Sequence, residues 1–406
     1  MTRTAVAVDT LNATCSGQDE APAAARAHAP AVSVVPVRSR RDSKRWLRFP
    51  LEIYPPEGPW VAPLERLLLQ RLSPKNPFFR HATAERLLAL DGAGRVVGRI
   101  LAHVNFAHNV RFNERVGFFG FFECVDDPAV ARSLLDAAGD FVRGHGCELQ
   151  RGPFNMTPYQ EVGILLEGFD EPHAVGEAYT APYYPRLMEA AGLSPCKHMS
   201  TFTTHLDRYD PSPLLGPKQQ ALLNDPSFSI RSFRPRQFRR EIERFGDLLN
   251  VCYYDSYHYV NLSREEILFE YGGLRGLLRP ELVLAAELHG VPVAFMIGLP
   301  DVYEPLRRLR GRLSPWSLLR LHRELKQIRG VSAALAGVAP HLHSRGIYRL
   351  LFHRLMENAK RLGYDTMYWT WIGDDNPGPL AMAAKAGRRK QRLAVYERPL
   401  SLGAGG

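Results

Sequence analysis

GVAPHLHSRGIYRLLFHRLMENAKRLGYDTMYWTWIGDDNPGPLAMAAKAG, residues 337–387, sets out a strand end, a turn, a helix, a strand and a second helix in that order. Residues 332–338 form a small-apolar run suited to a buried strand, and HLHSRG supplies a turn whose backbone N–H groups open a helix. Helix N-termini attract phosphate through free amides and the positive end of the dipole. Ile347, Leu350, Leu351, Leu355, Ala359 and Leu362 recur at three-to-four-residue spacing, and Gly363 stands where a C-cap belongs. Residues 366–372 are aromatic and β-branched enough for a second strand, and Asn376 precedes an Ala-rich helix ending at Gly387.

This order resembles the GNAT acyltransferase superfamily. Its members carry an (Arg/Gln)-x-x-Gly-x-(Gly/Ala) pyrophosphate turn between strand and helix, then an Asn followed eleven positions later by a helix-ending Gly. Asn376 and Gly387 have that spacing, and Gly346 and Lys385 match. His343 stands at the Arg/Gln position, Tyr348 at the last Gly/Ala position, Ala383 at the tyrosine position and Arg388 at the phenylalanine position. The resemblance implies acyl-CoA as co-substrate, with Val338, His343, Ser344, Arg345, Gly346, Ile347 and Asn376 as the residues that bind it.

The composition is compatible with such a protein. A chain of 406 residues, 45% hydrophobic, can bury the cores of two domains. No apolar run reaches the roughly 18 residues that a spanning helix needs, and the start lacks a signal-peptide pattern, so a cytoplasmic protein is expected. Cys15, Cys124, Cys147, Cys196 and Cys252 are odd in number with no CxxC, which suggests neither a disulfide framework nor a zinc site. Cys124 and Cys252 are read as buried thiols ahead of nucleophiles. His103, His108 and His145 have no ligand-like spacing, and no metal is expected.

Residues 1–45, rich in Ala, Ser and Pro and ending in RSRRDSKR, read as a disordered leader, with a globular body from Trp46. The body looks like one α/β unit repeated, as residues 46–205 and 206–406. Hairpins turn at residues 91–94 and at His289 and Gly290, and each precedes a strand and a helix. The helix in residues 127–146 matches the one in residues 344–363 in length, terminal Gly and apolar phase. Asn155 and Asn376 follow the next strands. In the first copy Asp126, Asp127 and Pro128 replace the phosphate turn and would repel an anion, so the second copy alone is expected to bind CoA.

Beyond the superfamily, FFGFFECVDD (residues 118–127), RGPFN (151–155), EGFD (167–170) and PYYP (182–185) are strings that resemble the bacterial ceramide synthase family, across roughly residues 46–400. The resemblance implies two tandem GNAT-like α/β units and an N-acyltransferase. It would join a long-chain acyl-CoA to the amine of a sphingoid base, sphinganine or its 3-keto form.

Amide formation needs a free amine aimed at the thioester, donors for the oxyanion and a proton for the leaving thiolate. Backbone amides near Gly337 and Val338 are candidates for the donors. Ala383 cannot give a proton; Tyr254, His258 or Tyr396 could, or the thiolate leaves unaided. Glu123, at the end of an aromatic strand, is either the base, with a raised pKa, or a structural carboxylate. The catalytic candidates are thus Glu123, Tyr254 and His258. Asn155, Tyr159, Glu161, Tyr183 and Tyr184 are candidates for substrate contact, the first three with a hydrogen-bonded turn as the alternative. Residues 253–259, YYDSYHY, are either a groove for an amphipathic acceptor or core.

Residues 305–330 carry eight Lys or Arg against one Glu, interleaved with Leu306, Leu309, Leu313, Trp316, Leu319 and Leu325. That is the pattern of a surface helix drawn to anionic lipid at the inner face of the cytoplasmic membrane, or of a solvated cover helix. No nucleic-acid motif accompanies it. A tRNA-dependent aminoacyl or peptidyl transferase and a degenerate acyl-CoA-binding module are the alternative functions.

Overall fold

The computed structural model describes residues 32–400 apart from 308, 311–320 and 322. The first 31 residues of the expected leader, and the middle of the basic segment, lie outside the described residues. The folded body begins at β1 (Ser33–Pro36) and α1 (Arg40–Arg48), N-terminal of the start expected at Trp46. The basic run read as the end of a leader is α1, capped by Ser39 accepting from the Asp42 N–H at 3.0 Å. It buries Trp46 fully, with the Arg99 guanidinium 4.5 Å from its ring centre.

The other strands are β2 (Ala82–Leu90), β3 (Val96–Asn105), β4 (Val116–Cys124), β5 (Leu149–Gly152), β6 (Ile164–Glu167), β7 (Ser194–His205), β8 (Phe228–Ser232), β9 (Val283–Leu288), β10 (Val291–Pro300), β11 (Gly330–Val338), β12 (Thr366–Gly373) and β13 (Arg388–Pro399). They form one mixed sheet in the order β1-β2-β3-β4-β5-β13-β7-β12-β11-β10-β9-β8, with β6 beside β13. The order reads as two six-strand halves that have exchanged their last strands. β13, from the second copy, pairs with β5, and β7, from the first, pairs with β12.

The cores agree with the exchange. Ala394, Tyr396 and Leu400 pack in the first copy's core, whereas Phe202 and Leu206 pack in the second's. A division of the chain at residue 205 therefore does not divide the sheet.

Each copy lays a corresponding long helix on its half. α2 (Pro128–Arg143) starts with Pro at its first position and buries Val130, Ala131, Leu134, Leu135, Ala138 and Val142. The later helices used below are α3 (Pro217–Leu223), α4 (Phe238–Cys252), α5 (Arg264–Tyr271), α6 (Ile347–Arg361) and α7 (Pro377–Ala386). Most of the apolar face read for α6 faces the sheet: Ile347, Leu350, Leu351, Leu355 and Ala359 are buried, whereas Leu362 is the exposed C-cap. Truncating a side chain such as Leu351 to Ala would cost about 2–5 kcal/mol.

In both copies the central parallel pair separates early. β4 meets β5 only from Val116 to Phe118, and β11 meets β12 only from Gly330 to Ala333. A bulge sits at each parting point. Phe121 adopts φ +47° in β4, and the register of β11 against β10 skips Ala334. No helix among the described residues is long and apolar enough to cross a membrane.

Candidate active site

Where β11 leaves β12, the strand keeps β10 on one edge and opens the other. The Ala339 N–H donates to Val293 O at 2.9 Å, so strand alternation turns the Val338 N–H to the open edge. On that edge the Tyr253 hydroxyl donates to Ala336 O at 2.9 Å, and His343 Nε2 donates to Val338 O at 3.0 Å. The Thr370 hydroxyl wedges the fork, 3.2 Å from both Ala333 O and Ala334 O.

One cavity, of about 1090 Å³, lies along this edge and the turn before α6. The turn is a short 3₁₀ segment (Pro340–Arg345) closed by Gly346 at φ +84°, a left-handed conformation that glycine adopts without a Cβ penalty. A Cβ there would sit 2.1 Å from Gln219 Nε2, which donates to Gly346 O at 3.0 Å. Lys218 Nζ donates to Ser344 O at 3.2 Å, so α3 clamps the turn from outside. Lys218, His343, Arg349 and Lys385 line the cavity against one carboxylate, Asp210. Basic side chains and a helix N-terminus together fit a phosphorylated ligand such as CoA. Cys252 also lines it, its thiol pushed up to about 12 by burial.

A second cavity, of about 550 Å³, lies on the other side of the fork. Its walls are largely aromatic, including Tyr159, Tyr257, Tyr259, Tyr271, Trp369 and Trp371, with the carboxylates Glu161, Glu270, Asp255 and Asp375. Glu161 is held by Asn155 Nδ2 at 2.8 Å and by the Tyr303 hydroxyl at 3.2 Å. Tyr253, Ser256, Ala336, Tyr348, Asn376 and Pro379 line both cavities, which makes this rim the place where they adjoin.

Of the residues expected from sequence, Val338, His343, Ser344, Gly346 and Asn376 line the first cavity, and Tyr159 and Glu161 the second. Arg345 is exposed and lines neither, and the Ile347 side chain is buried in the core. Asn155 reaches the second cavity only through Glu161.

The three catalytic expectations fall elsewhere. Glu123 is buried in the first copy, taking hydrogen bonds from the Tyr54 and Tyr184 hydroxyls at 2.7 and 2.6 Å. Burial raises its pKa against the opposing pull of Arg99, and it lines neither cavity. It is the structural carboxylate of the two readings. Tyr184 and Tyr183, which donates to Cys124 O at 2.8 Å, belong to the same cluster. Tyr254 is half exposed, with the Arg111 guanidinium stacked 3.8 Å from its ring centre.

His258 turns away from the cavities into the first copy. Arg151 Nη1 donates to its Nε2 at 2.9 Å, so Nδ1 carries the proton and donates to His108 Nε2 at 2.6 Å. Burial, then His108 and Arg151, depress its pKa to about 2, and it stays neutral. His108, Glu114 and His258 have metal-ligand spacing, but Arg151 bonds both Glu114 and His258 and already fills the cation's place.

Tyr253 and Ser256, from the stretch 253–259 read as acceptor groove or core, line both cavities, whereas sequence reasoning missed Tyr348 and the clamp residues Lys218 and Gln219. The sequence signal for Tyr348 was its departure from the turn motif, a phenol where a small residue is usual.

The sheet thus joins two copies of one α/β unit, each with a fork between its central parallel strands. No protein-family model matches the chain. It is 28% identical over 378 residues to the bacterial ceramide synthase of Caulobacter vibrioides (strain NA1000 / CB15N), spanning 91% of this chain and 98% of that one. The chain has a tandem GNAT fold and is similar to bacterial ceramide synthase. It is also 27% identical over 371 residues to protein YghO of Escherichia coli (strain K12), covering 89% of this chain and 94% of that protein. Among solved structures, a tandem GNAT protein from the clavulanic acid biosynthesis pathway aligns with a TM-score of 0.54 at 13% identity, over 91% of this chain and 99% of its own. A GCN5-related glucosamine N-acetyltransferase region of a fungal multi-domain GH3 β-N-acetylglucosaminidase aligns with a TM-score of 0.56 at 15% identity, over 91% of this chain and 38% of its own. The chain shares its fold with them.

Proposed function

We propose that the protein is an acyl-CoA-dependent N-acyltransferase whose acceptor is the amine of a long-chain sphingoid base, giving a ceramide. The observation that carries this reading is the pair of cavities adjoining at the open edge of β11, one basic and turn-lined, the other aromatic and carboxylate-bearing. Similarity to the bacterial ceramide synthase of Caulobacter supports the choice of acceptor.

In this reading CoA phosphates lie against Lys218, Arg349 and the turn at Gly346, and the thioester lies along β11 with the Val338 N–H on its carbonyl oxygen. That donor stabilises the charge that develops on the oxygen. The ammonium group of the acceptor meets Glu161, which draws its proton, and the aromatic walls hold the chain. Because the acceptor is a lipid, the basic segment of residues 305–330 meets an anionic membrane from its cytoplasmic face.

Purified protein incubated with a long-chain acyl-CoA and sphinganine in anionic vesicles should release free thiol and form ceramide by mass spectrometry. The Glu161→Gln variant should lose about 10²-fold or more in kcat while keeping acyl-CoA affinity. Silence across a panel of acyl-CoAs and amines would overturn the reading. Transfer that requires charged tRNA would replace it with the aminoacyl-transferase alternative, and acyl-CoA binding without turnover would leave a binding module.

A further inference from the structure

The fold removes the tyrosine that a GNAT helix would offer at residue 383. Ala383 is fully buried in the second core, and no side chain there reaches the cavities. Tyr396 is 1% exposed in the first core, and Tyr254 and His258 face elsewhere. Some other group must handle the proton that amide formation moves from nitrogen to sulfur.

Tyr348 sits on the rim shared by both cavities, in the first turn of α6, two residues after Gly346. Its hydroxyl meets no hydrogen-bond partner among the described residues. Three neighbouring phenols are committed: Tyr253 to Ala336 O at 2.9 Å, Tyr159 to Val260 O at 3.0 Å and Tyr303 to Glu161 at 3.2 Å. The side chain is half-buried and lines both cavities, so its hydroxyl is free to engage a ligand there. The left-handed Gly346 sets the start of α6, and with it the position of Tyr348, beside the open edge of β11.

We propose that Tyr348 is the catalytic proton relay of the transfer, bridging the attacking nitrogen and the departing sulfur. This inference rests on the acyl-CoA reading given above. The amine nitrogen bonds to the thioester carbon, giving a tetrahedral intermediate with its oxyanion on the Val338 N–H and a proton still on nitrogen. As the C–S bond breaks, the Tyr348 hydroxyl hands its proton to sulfur and takes the proton from nitrogen. The products are neutral amide and free thiol, and the phenol ends as it began. Because giving and taking are concerted, no phenolate accumulates. Burial, which pushes this phenol well above its ordinary pKa, keeps the hydroxyl protonated across the working pH range.

The test is Tyr348→Phe, assayed with two acyl donors of the same chain, one the CoA thioester and one the thioester of an acidic aromatic thiol whose thiolate leaves without a proton. With acyl-CoA, kcat should fall by about 10²-fold or more, as expected for loss of a general acid-base group. Acyl-CoA affinity by calorimetry and the thermal midpoint should stay near wild type. With the aromatic thioester the loss should shrink to a few-fold. An equal loss with both donors, an unchanged kcat, lost acyl-CoA affinity or an unfolded variant would each overturn the relay. Should the wild-type protein itself transfer no acyl group, the failure belongs to the acyl-CoA reading and not to Tyr348.

Discussion

The two copies part their central strands in the same way and then put the gap to opposite uses. In the second copy the fork between β11 and β12 stays open and is lined by two cavities. In the first copy the chain closes its own fork. The Phe154 N–H donates to Phe119 O at 2.7 Å, and Asn155 Oδ1 accepts from the Phe121 N–H at 2.7 Å, so RGPFN takes up the free edge of β4. Gly120 makes room for this plug, since a Cβ there would stand 1.9 Å from Phe154 O. The helix starts differ in the same sense. Gly346 leaves the N-terminus of α6 to a ligand, whereas Asp127 caps α2 by accepting from the Ala129 N–H at 2.8 Å. In the first copy, both the fork and the helix start are satisfied from within the chain.

The closed copy also serves the open one. The Asn155 side chain that plugs the first fork also holds Glu161, and Tyr159 and Glu161 from the same loop line the second cavity. One side chain thus closes the first fork and supports a wall of the second cavity.

The largest expected effect separates the two helix starts. Gly346→Val forces a β-branched residue to φ +84° and into Gln219, so acyl-CoA affinity should fall more than about tenfold, a change of roughly 1.4 kcal/mol or greater. Asp127→Ala should leave acyl-CoA affinity unchanged and cost about 1 kcal/mol of stability as a lost N-cap. Calorimetric titration with acyl-CoA on both variants decides it, and equal affinities would end the assignment of the phosphate site to the second copy.

Next in size is the plug. Asn155→Ala leaves the N–H of buried Phe121 without its acceptor and frees Glu161, so about 1–3 kcal/mol of stability should be lost. The amine KM should rise while acyl-CoA binding holds. Denaturant unfolding with paired substrate kinetics measures both. A variant whose amine KM is unchanged would show that the plug and the acceptor cavity are independent.

Local patterning made much of this readable from sequence. The α2 and α6 faces, both hairpins and the Gly346 turn follow from spacing and turn chemistry within some twenty residues. The strand exchange was not readable, because β7 and β13 carry the same alternation whichever half they join, and only long-range packing of Phe202 or Tyr396 chooses. Glu123 misled for a related reason. Apolar neighbours raise a carboxyl pKa whether it faces substrate or two tyrosine hydroxyls, and sequence does not give the partner. His258 and Tyr254 flank Tyr257 in a loop with no regular period, so which of these rings turned toward the cavity was not encoded in any spacing. Tyr348 was hidden by the motif itself, since a mismatch reads as loss until the geometry shows where the side chain stands.

The smallest effect concerns how the copies are held together. His81, just before β2, bonds Glu266 on α5 through Nε2 to Oε1 at 2.8 Å, and joins first copy to second. The bond to Glu266 raises the His81 pKa above 6.5 despite burial. Burial opposes it, but bonds from His81 and Ser263 hold the Glu266 carboxyl below 4.5. The raised histidine contributes stability that is whole below pH 6.5 and is lost as pH rises through its folded value. The lowered glutamate contributes stability that is whole above pH 4.5 and is lost as pH falls through its folded value. The pair is therefore fully formed only between these limits. Urea unfolding at pH 5.5 and at pH 8.5 should show wild type losing about 1 kcal/mol more than His81→Gln over that interval, a modest figure because the histidine is a quarter exposed. Parallel losses in the two proteins would mean that the copies are held by the shared sheet, with β7 and β13 exchanged, and that the ion pair adds nothing to it.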